Sequence, residues 1–187
     1  MAAPEIGTCV AAGIAGLKKN FVTHVVVTLL ILIVGSFSFG LLYGPMIAGY
    51  MRMIKVEEDG GTPQIGDVFK GFDDFVPAFL AAFLGGIAVS IGTMLCIIPG
   101  LLIMALPITA TYLVAFGEKD GINALKRAFE AVKANLISSA LCALVLGIVG
   151  SLGAILCGVG VLLTLPIAFI GFYHMAKQMV GDGTASA

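Results

Sequence analysis

The chain has 187 residues, of which 59% are hydrophobic and only 11% are charged. A soluble domain carries roughly 25% charged residues, so this chain cannot cover its surface with charge and its composition calls for lipid around it. The formal net charge of −1 lacks the basic excess that nucleic-acid binding needs. We therefore expect an all-α, polytopic membrane protein without a separate aqueous domain.

The N-terminal segment predicts an amphipathic helix over residues 5–19. Lys18 and Lys19 follow this weakly apolar segment and precede the first strongly apolar run, which begins at Phe21. A cleavable signal peptide has its positive charges before its apolar run, so we interpret the run as a retained membrane anchor. The apolar stripe of the segment consists of Ile6, Val10, Ile14 and Leu17.

Three long apolar blocks follow, at about 21–54, 75–117 and 135–180. Each exceeds the roughly 20 residues that one membrane span needs and is too short for three spans. Each also has a central interruption rich in helix-breaking residues. The pattern predicts three helical hairpins, and so six transmembrane helices, in one domain 1–180 followed by a disordered tail 181–187. The predicted helix breaks are Pro45, Pro99, Gly100, Pro107, Gly158, Gly160 and Pro166.

Amphipathic segments also precede the second and third blocks. Thr62 and Pro63 form an N-cap and N1 pair before an apolar stripe in residues 63–73, and Asp120 occupies the N-cap position before residues 121–134. Together with the segment 5–19, both patterns predict interfacial helices in the plane of the lipid headgroups. Helices packed as a cap on the ends of the spans are the alternative.

The positive charges indicate an orientation. All ten Lys and Arg residues lie outside the centres of the apolar blocks, and the hairpin arrangement places them on one side of the bilayer. The three central interruptions contain no charge. The positive-inside rule then predicts a multi-pass protein of the cell (inner) membrane with both termini in the cytoplasm.

The second and third blocks contain an internal repeat of small residues at every fourth position. This spacing gives a smooth helix face on which backbones approach closely, so we predict helix–helix contacts there. Internal repeats are common in transporters, and duplication of a structural hairpin accounts for them equally well. The repeated positions are Ala78, Ala82, Gly86 and Ser90, matched by Ser139, Ala143, Gly147 and Ser151.

Few residues suggest chemistry. No charged residue lies in the middle of a predicted span, and no nucleophile, phosphate-loop or metalloprotease motif is present in the sequence. His24 and His174 lie near the charged ends of the first and last predicted spans and could meet, but two histidines seldom suffice for a metal. We interpret the acidic run 57–59 as a solvated loop and 73–74 as the end of an interfacial helix. We predict no catalytic residue, metal or cofactor.

The cysteines fall into two groups. Cys96 and Cys157 occupy equivalent uncharged turns, where a disulfide could form if that side is oxidising; two apolar thiols are the alternative. Cys9 and Cys142 are interpreted as small apolar residues.

Five motifs resemble, in order, those of a broad group of uncharacterised six-helix bacterial and archaeal integral membrane proteins. That group includes the membrane domain fused to some glycerophosphoryl diester phosphodiesterases. The resemblance implies a six-span fold and provides no catalytic residues, because the phosphodiesterase domain is a separate segment. Where that group commonly has Ser, this chain has Ala128. The motifs are Pro45-Met46-Ile47-Ala48-Gly49, Phe69-Lys70-Gly71-Phe72, Ile98-Pro99-Gly100, Ala124 to Ala128 leading to Asn135, and Gly158-Val159-Gly160 followed by Pro166 and Tyr173.

These observations favour a non-enzymatic membrane scaffold or accessory subunit. It would pack with itself or with another membrane protein, and with membrane lipids. The alternatives are a small-molecule or lipid transporter and a membrane-shaping protein. A transporter predicts a polar cavity lined by residues such as Ser90, Thr109, Thr111, Ser151 or Thr164.

Overall fold

A computed structural model describes residues 3–38, 40–95, 97–155 and 160–181, and it is helical with no strand among them. The predicted all-α class is therefore confirmed. The described elements are α1 (Ile6–Lys19), α2 (Phe21–Phe37), α3 (Tyr43–Glu58), a 3₁₀ helix (Ile65–Asp74), α4 (Phe75–Leu95), α5 (Ile97–Leu102), α6 (Leu106–Ala115), α7 (Gly121–Ala134), α8 (Leu136–Ile155) and α9 (Val161–Val180).

The chain turns sharply between α1 and α2. Asn20 leaves the helical conformation, with φ −133° and ψ 55°, and the two helix axes differ in direction by 105°. The apolar side of α1 packs mainly on α9. The approach is close because Gly13 has no side chain: a Cβ there would overlap the carbonyl oxygen of Ile167.

The helices of each apolar block pack against one another. Helix α8 packs most extensively on α9, and α4 packs on α5 and α6. Helix α3 crosses the 3₁₀ helix at a pair of glycines. A Cβ on Gly49 would overlap the Val68 carbonyl oxygen, and one on Gly71 would overlap that of Pro45. Glycine alone fits at both positions of this crossing.

Two described helices are long and apolar enough to cross a membrane: the continuous segment Ile65–Leu95 and the segment Leu136–Gly153. The bent pair of α1 and α2 gives a third if it counts as one span. Helix α6 has only 10 residues and rises about 15 Å, roughly half the hydrocarbon thickness of a bilayer. Apolar helices compatible with a membrane are thus present, and six full spans stay a prediction.

Three of the predicted helix breaks mark helix starts. Pro45 and Pro107 lie in the first turns of α3 and α6, where a missing backbone N–H leaves no hydrogen bond unmade. Gly160 is the residue before α9.

Three other predicted helix breaks lie within helices. Helix α9 continues through Pro166 to Val180, and residues 99–100 lie within the short helix α5. Gly158 lies outside the described residues, as do Cys96, Cys157 and most of the predicted tail.

The small-residue face of α4 is buried only at its beginning. Ala78 is buried, Ala82 and Gly86 are partly exposed and Ser90 is exposed. A Cβ on Gly86 would meet nothing within 4 Å, whereas one on Gly85 would lie 2.8 Å from Cα of Pro107. Helix α4 therefore contacts α6 through Gly85. A contact of the outer positions with a second molecule stays a prediction.

The corresponding face of α8 shows the same trend. Ser139 and Ala143 are buried, Gly147 is partly exposed and Ser151 is exposed. A Cβ on Gly147 would have only Met104 Cε nearby, at 3.8 Å. A Cβ on Gly150 would lie 3.2 Å from the Ala168 methyl group, so the contact with α9 again runs through the neighbouring glycine row.

Candidate functional site

A buried polar network joins the beginning of α2 to the end of α3. The side chain of His24 is fully buried; its Nδ1 lies 2.8 Å from the Tyr50 hydroxyl and its Nε2 lies 2.8 Å from Glu57 Oε2. The consistent arrangement has Nε2–H donating to the carboxylate and Nδ1 accepting from the phenol, an assignment that follows from the network. Both ring nitrogens are therefore used inside the protein.

The second carboxylate oxygen of Glu57 is also bonded. Asn20 donates its side-chain N–H to Oε1 at 2.8 Å, and the ammonium of Lys19 donates to the Glu57 carbonyl at 3.0 Å. These bonds tie the turn between α1 and α2 to the last turn of α3. A carboxylate that is only 5% exposed needs such partners to remain stable in the interior.

This geometry corrects the interpretation of residues 57–59 as a solvated loop. Glu57 and Glu58 belong to the last turn of α3, and Asp59 is its C-cap. Tyr50 and Glu57 are two helical turns apart, so they share the buried face of α3. The seven-residue spacing of Tyr50 and Glu57 is visible in the sequence and indicates that they share a helix face. It does not indicate their partner His24, which lies on another helix.

Glu58 forms a second polar cluster, with α9. The hydroxyl of Tyr173 donates to Oε2 at 2.7 Å and the Lys177 ammonium donates to Oε1 at 2.6 Å. His174 lines the same cavity as Glu58. The two histidines of the chain therefore approach adjacent carboxylates of the same turn, each from its own helix.

A cavity of about 270 Å³ lies between α1, α3 and α9, beside both clusters. Its polar walls come from Lys19 and Glu57, which bond to each other, from Glu58, which bonds to Tyr173 and Lys177, and from His174. No group of three metal-ligating side chains occurs among the described residues. The lining residues are Ala12, Ala15, Gly16, Lys19, Ile54, Glu57, Glu58, Ile170 and His174.

Arg52 links three further segments at the same end of the fold. Its Nε donates to the Ala115 carbonyl at 2.8 Å, and its two terminal nitrogens donate to the Lys70 carbonyl and to the Asp74 carboxylate. The planar guanidinium can make these bonds at once because its donors point in fixed directions. Of the acidic pair 73–74, Asp73 is exposed and Asp74 is the one held in an ion pair.

A second cavity, of about 320 Å³, is apolar and lies among α3, α4, α6 and α9. The Tyr50 hydroxyl in its wall bonds to His24, and the Thr111 hydroxyl donates to the Pro107 carbonyl of its own helix. Of the polar residues expected to line a transport cavity, this one includes only Thr111. The hydroxyls of Ser90, Thr109, Ser151 and Thr164 likewise donate to backbone carbonyls.

The structure brings together two cysteines that the sequence did not pair. Cys9 on α1 and Cys142 on α8 are fully buried in the same small apolar cluster, and both thiols are free. The pair suggested by the sequence, Cys96 and Cys157, lies outside the described residues. No spacing or periodicity indicated the first pair, because the contact depends on how α1 crosses the last hairpin.

Comparison of the chain with protein-family models, curated proteins and solved structures finds no match. The similarity to the six-helix membrane proteins therefore rests on the five motifs alone. Two of those motifs do meet in space, since the Pro45–Gly49 and Phe69–Phe72 segments form the glycine crossing of α3 and the 3₁₀ helix.

Proposed function

We propose that this chain is an integral membrane protein that acts without catalysis, as a scaffold or accessory subunit in the plane of the bilayer. The observation that carries the proposal is the outer surface of α2, α4 and α8, which presents large apolar side chains along each helix. Monomeric soluble proteins rarely expose contiguous apolar areas of this kind. The exposed residues include Val22, Leu29, Ile33 and Phe37 on α2, Val76, Phe83, Ile87 and Ile91 on α4, and Ile137, Leu141, Ile148 and Leu152 on α8.

A continuous stack of phenylalanines lies where the chain would enter the bilayer, and it supports the membrane assignment. It runs from Phe69 and Phe72 in the 3₁₀ helix to Phe75, Phe79 and Phe83 in α4, with successive ring centroids 5.2–6.2 Å apart. Phe69 and Phe83 at its ends are about half exposed. The stack passes from the charged segment to the apolar surface, as expected of a helix that enters the hydrocarbon from the headgroup region.

The distribution of charge supports a single orientation. The contacts of Lys19, Arg52 and Lys177 join the ends of α1, α3, α6 and α9 and the beginning of α4, so these ends share one side of the fold. We call this side the charged end. The described connections between α2 and α3 and between α5 and α6 contain no charged residue. Under the positive-inside rule the charged end faces the cytoplasm.

The arrangement of the polar groups favours a structural over a catalytic role. A general base needs a nitrogen or oxygen that can reach a substrate. Both nitrogens of His24 and both oxygens of Glu57 are bonded within the protein, so this dyad fixes α2 against α3.

An open groove on α4 is where we place the partner. It has a volume of about 370 Å³, and Gly86 and Ser90 line it together with exposed apolar residues. Because a Cβ on Gly86 would meet nothing in this chain, the space suits the close approach of a helix from another membrane protein or a second copy.

A lipid transporter is the second candidate, and the apolar cavity of about 320 Å³ favours it over a carrier of polar solutes. The hydroxyls of Tyr50 and Thr111 in the wall of this cavity are bonded within the protein, so neither is available to orient a charged or sugar-like molecule.

Single-cysteine labelling in a variant without native cysteines tests the membrane orientation. Lys119 is exposed near the charged end, and Leu41 is exposed in the uncharged connection. With a membrane-impermeant thiol reagent on intact cells, we expect Leu41→Cys to react and Lys119→Cys to react only after permeabilisation. Equal labelling of both before permeabilisation, or extraction of the protein by alkaline carbonate, would contradict the proposal.

The accessory role has its own test at the groove. Gly86→Leu fills the space outside the fold, so it should leave helix content unchanged and reduce self-association or co-purification with a membrane partner in mild detergent. Ile91→Leu changes an exposed apolar residue of the same helix and should have no effect. Unchanged association in Gly86→Leu would argue against the groove as the contact.

A further inference from the structure

Helix α7 is attached at both of its ends to helices that are long enough to cross a membrane. Its first residue, Gly121, lies against the first turn of α4, where a Cβ on the glycine would be 2.7 Å from the Pro77 carbonyl oxygen. Its C-cap is Asn135, and α8 begins at the next residue. Helices α4 and α8 belong to the two described segments that are apolar and long enough to span a bilayer.

The beginning of α8 lies at the charged end, like the beginning of α4. A Cβ on Gly150 would lie 3.2 Å from the Ala168 methyl group, and one on Gly153 would overlap the Gly160 carbonyl. Residue numbers therefore rise along α8 as they fall along α9, so the two helices are antiparallel. The beginning of α8 lies beside the end of α9, which belongs to the charged end through Lys177. Both attachments place α7 at the level where the spans enter the bilayer.

An exposed row runs along α7, and the rest of the fold leaves it uncovered. Ile122 and Phe129 are two helical turns apart, and each is 49% exposed. Lys126 and Lys133 follow these two residues by four positions, so each lysine lies beside its apolar neighbour on the same helix face. Both lysines are exposed, and neither forms an ion pair within the described part of the chain. We call these four residues the α7 row.

The nearby acidic residues do not occupy the two lysines. Glu118 pairs with Arg127 at 3.0 Å. Glu130 directly follows Phe129, so it points about 100° away from that ring around the helix. The row therefore combines apolar side chains with ammonium groups that are available to an outside anion. The aliphatic part of a lysine can cover apolar surface while its ammonium group reaches a phosphate.

Helix α1 carries the same combination at the charged end. Ile14 is 40% exposed, and Lys18 follows it by four positions. Lys18 is exposed and forms no ion pair with any residue that the structure describes. The end of α1 belongs to the charged end because the next residue, Lys19, bonds to the Glu57 carbonyl. Two separate surface helices thus present an exposed apolar residue next to an available lysine.

We propose that the α7 row binds anionic phospholipids in the leaflet at the charged end. Ile122 and Phe129 enter the boundary of the acyl chains, and the ammonium groups of Lys126 and Lys133 contact the phosphates. A zwitterionic headgroup carries its own cation, which competes with lysine for the phosphate, whereas an anionic headgroup retains a net negative charge. The inference rests on the proposed membrane location and goes beyond it by assigning a lipid class to named residues.

The first test measures the depth of the row. The chain contains no tryptophan, so one substitution supplies a fluorescent reporter. Phe129→Trp places an indole in the row, and Asn123→Trp places one at an exposed position on the polar side of the same helix. Each full-length variant is reconstituted into vesicles of equal amounts of phosphatidylcholine and phosphatidylglycerol with brominated acyl chains. We expect strong quenching in Phe129→Trp and weak quenching in Asn123→Trp, because bromine quenches indole only at short range.

The second test measures the lipid preference by brominating only one of the two lipids. In Phe129→Trp, brominated phosphatidylglycerol should quench more than brominated phosphatidylcholine. Adding Lys126→Gln and Lys133→Gln should reduce the relative affinity for phosphatidylglycerol about fivefold for each lysine removed. Lys126→Arg with Lys133→Arg should retain the preference because it retains the charge. Lys55→Gln is the matched control, since this ammonium is already paired with Asp59 at 2.7 Å, and it should leave the preference unchanged.

The outcomes separate this inference from the proposal on which it rests. Extraction of the parent protein from the vesicles by alkaline carbonate would overturn the membrane location and the lipid site together. Absence of quenching in Phe129→Trp that stays in the membrane would overturn the lipid site alone. Equal quenching by the two lipids would do the same, as would a preference that survives the loss of both lysines. Circular dichroism confirms that each variant is folded.

Discussion

The crossing of α3 and the 3₁₀ helix offers the sharpest test of the packing. Gly49 lies inside α3, with the backbone of residue 68 directly against it. In Gly49→Ala the new methyl group would lie 2.6 Å from the Val68 carbonyl carbon and would overlap the carbonyl oxygen. The neighbour is backbone, so no side-chain rotation relieves the overlap. The two segments must move apart.

Two opposing effects determine how much stability Gly49→Ala loses. Replacing Gly by Ala within a helix gains about 1 kcal/mol because alanine has the higher helix propensity. Overpacking a well-packed interior costs about 1–3 kcal/mol, and a backbone neighbour places this site at the upper end. We therefore expect a net destabilisation of about 2 kcal/mol, or a decrease in melting temperature of roughly 4–8 °C for a chain of this size.

Gly86→Ala is the matched control. It makes the same chemical change inside another helix, at a position where a Cβ meets nothing within 4 Å. Only the gain in propensity remains, so this variant should be as stable as the parent or more stable. Thermal unfolding in one detergent, followed by circular dichroism, compares the three proteins. If Gly49→Ala and Gly86→Ala melt at the same temperature, the glycine crossing is not the tight contact described above.

Two other predictions concern the charged end. Glu57→Leu should destabilise the protein by about 3 kcal/mol in the same unfolding assay, because it leaves the buried His24 donor and the half-buried Asn20 donor without an acceptor. Glu57→Gln keeps an acceptor and should lose less stability; equal losses would mean that the hydrogen bonds contribute nothing. Arg52→Lys should lower the free energy of unfolding by about 2 kcal/mol, because one ammonium cannot donate to acceptors on three segments. A stability equal to that of the parent would show that the guanidinium contacts are dispensable.

The features that the sequence predicted correctly are those that depend on composition and on the periodicity of apolar residues. The amphipathic segments before the second and third blocks correspond to the 3₁₀ helix and α7, and Asp120 caps α7 by accepting the Ile122 N–H at 2.9 Å. The N-cap expected at Thr62 is wrong, because Gln64 precedes the 3₁₀ helix and forms a capping box with Asp67. Each of these features is local, because a cap or an apolar stripe is fixed by residues within a few positions of one another.

What the sequence could not predict depends on the angle at which helices meet. Residues 85 and 86 are both glycine, and adjacent positions on a helix point about 100° apart. The small-residue repeat favoured Gly86, whereas the contact with Pro107 uses Gly85. The pairing of His24 with Glu57 was missed for a similar reason. An acidic run at the end of a helix looks solvated until the helix that covers it is known.

The directional contacts of the fold are concentrated at one end, and the outer helix surfaces lack them. The His24 network, the Glu58 cluster and the Arg52 contacts all lie at the charged end, and the glycine crossing lies next to them. These contacts depend on direction, so they fix the helices relative to one another, whereas apolar packing tolerates substitutions of similar volume. The outer positions of α4 and α8 carry no such constraint within this chain. A scaffold built this way would hold its own fold from one side of the membrane and leave its outer small-residue surfaces free to receive a partner.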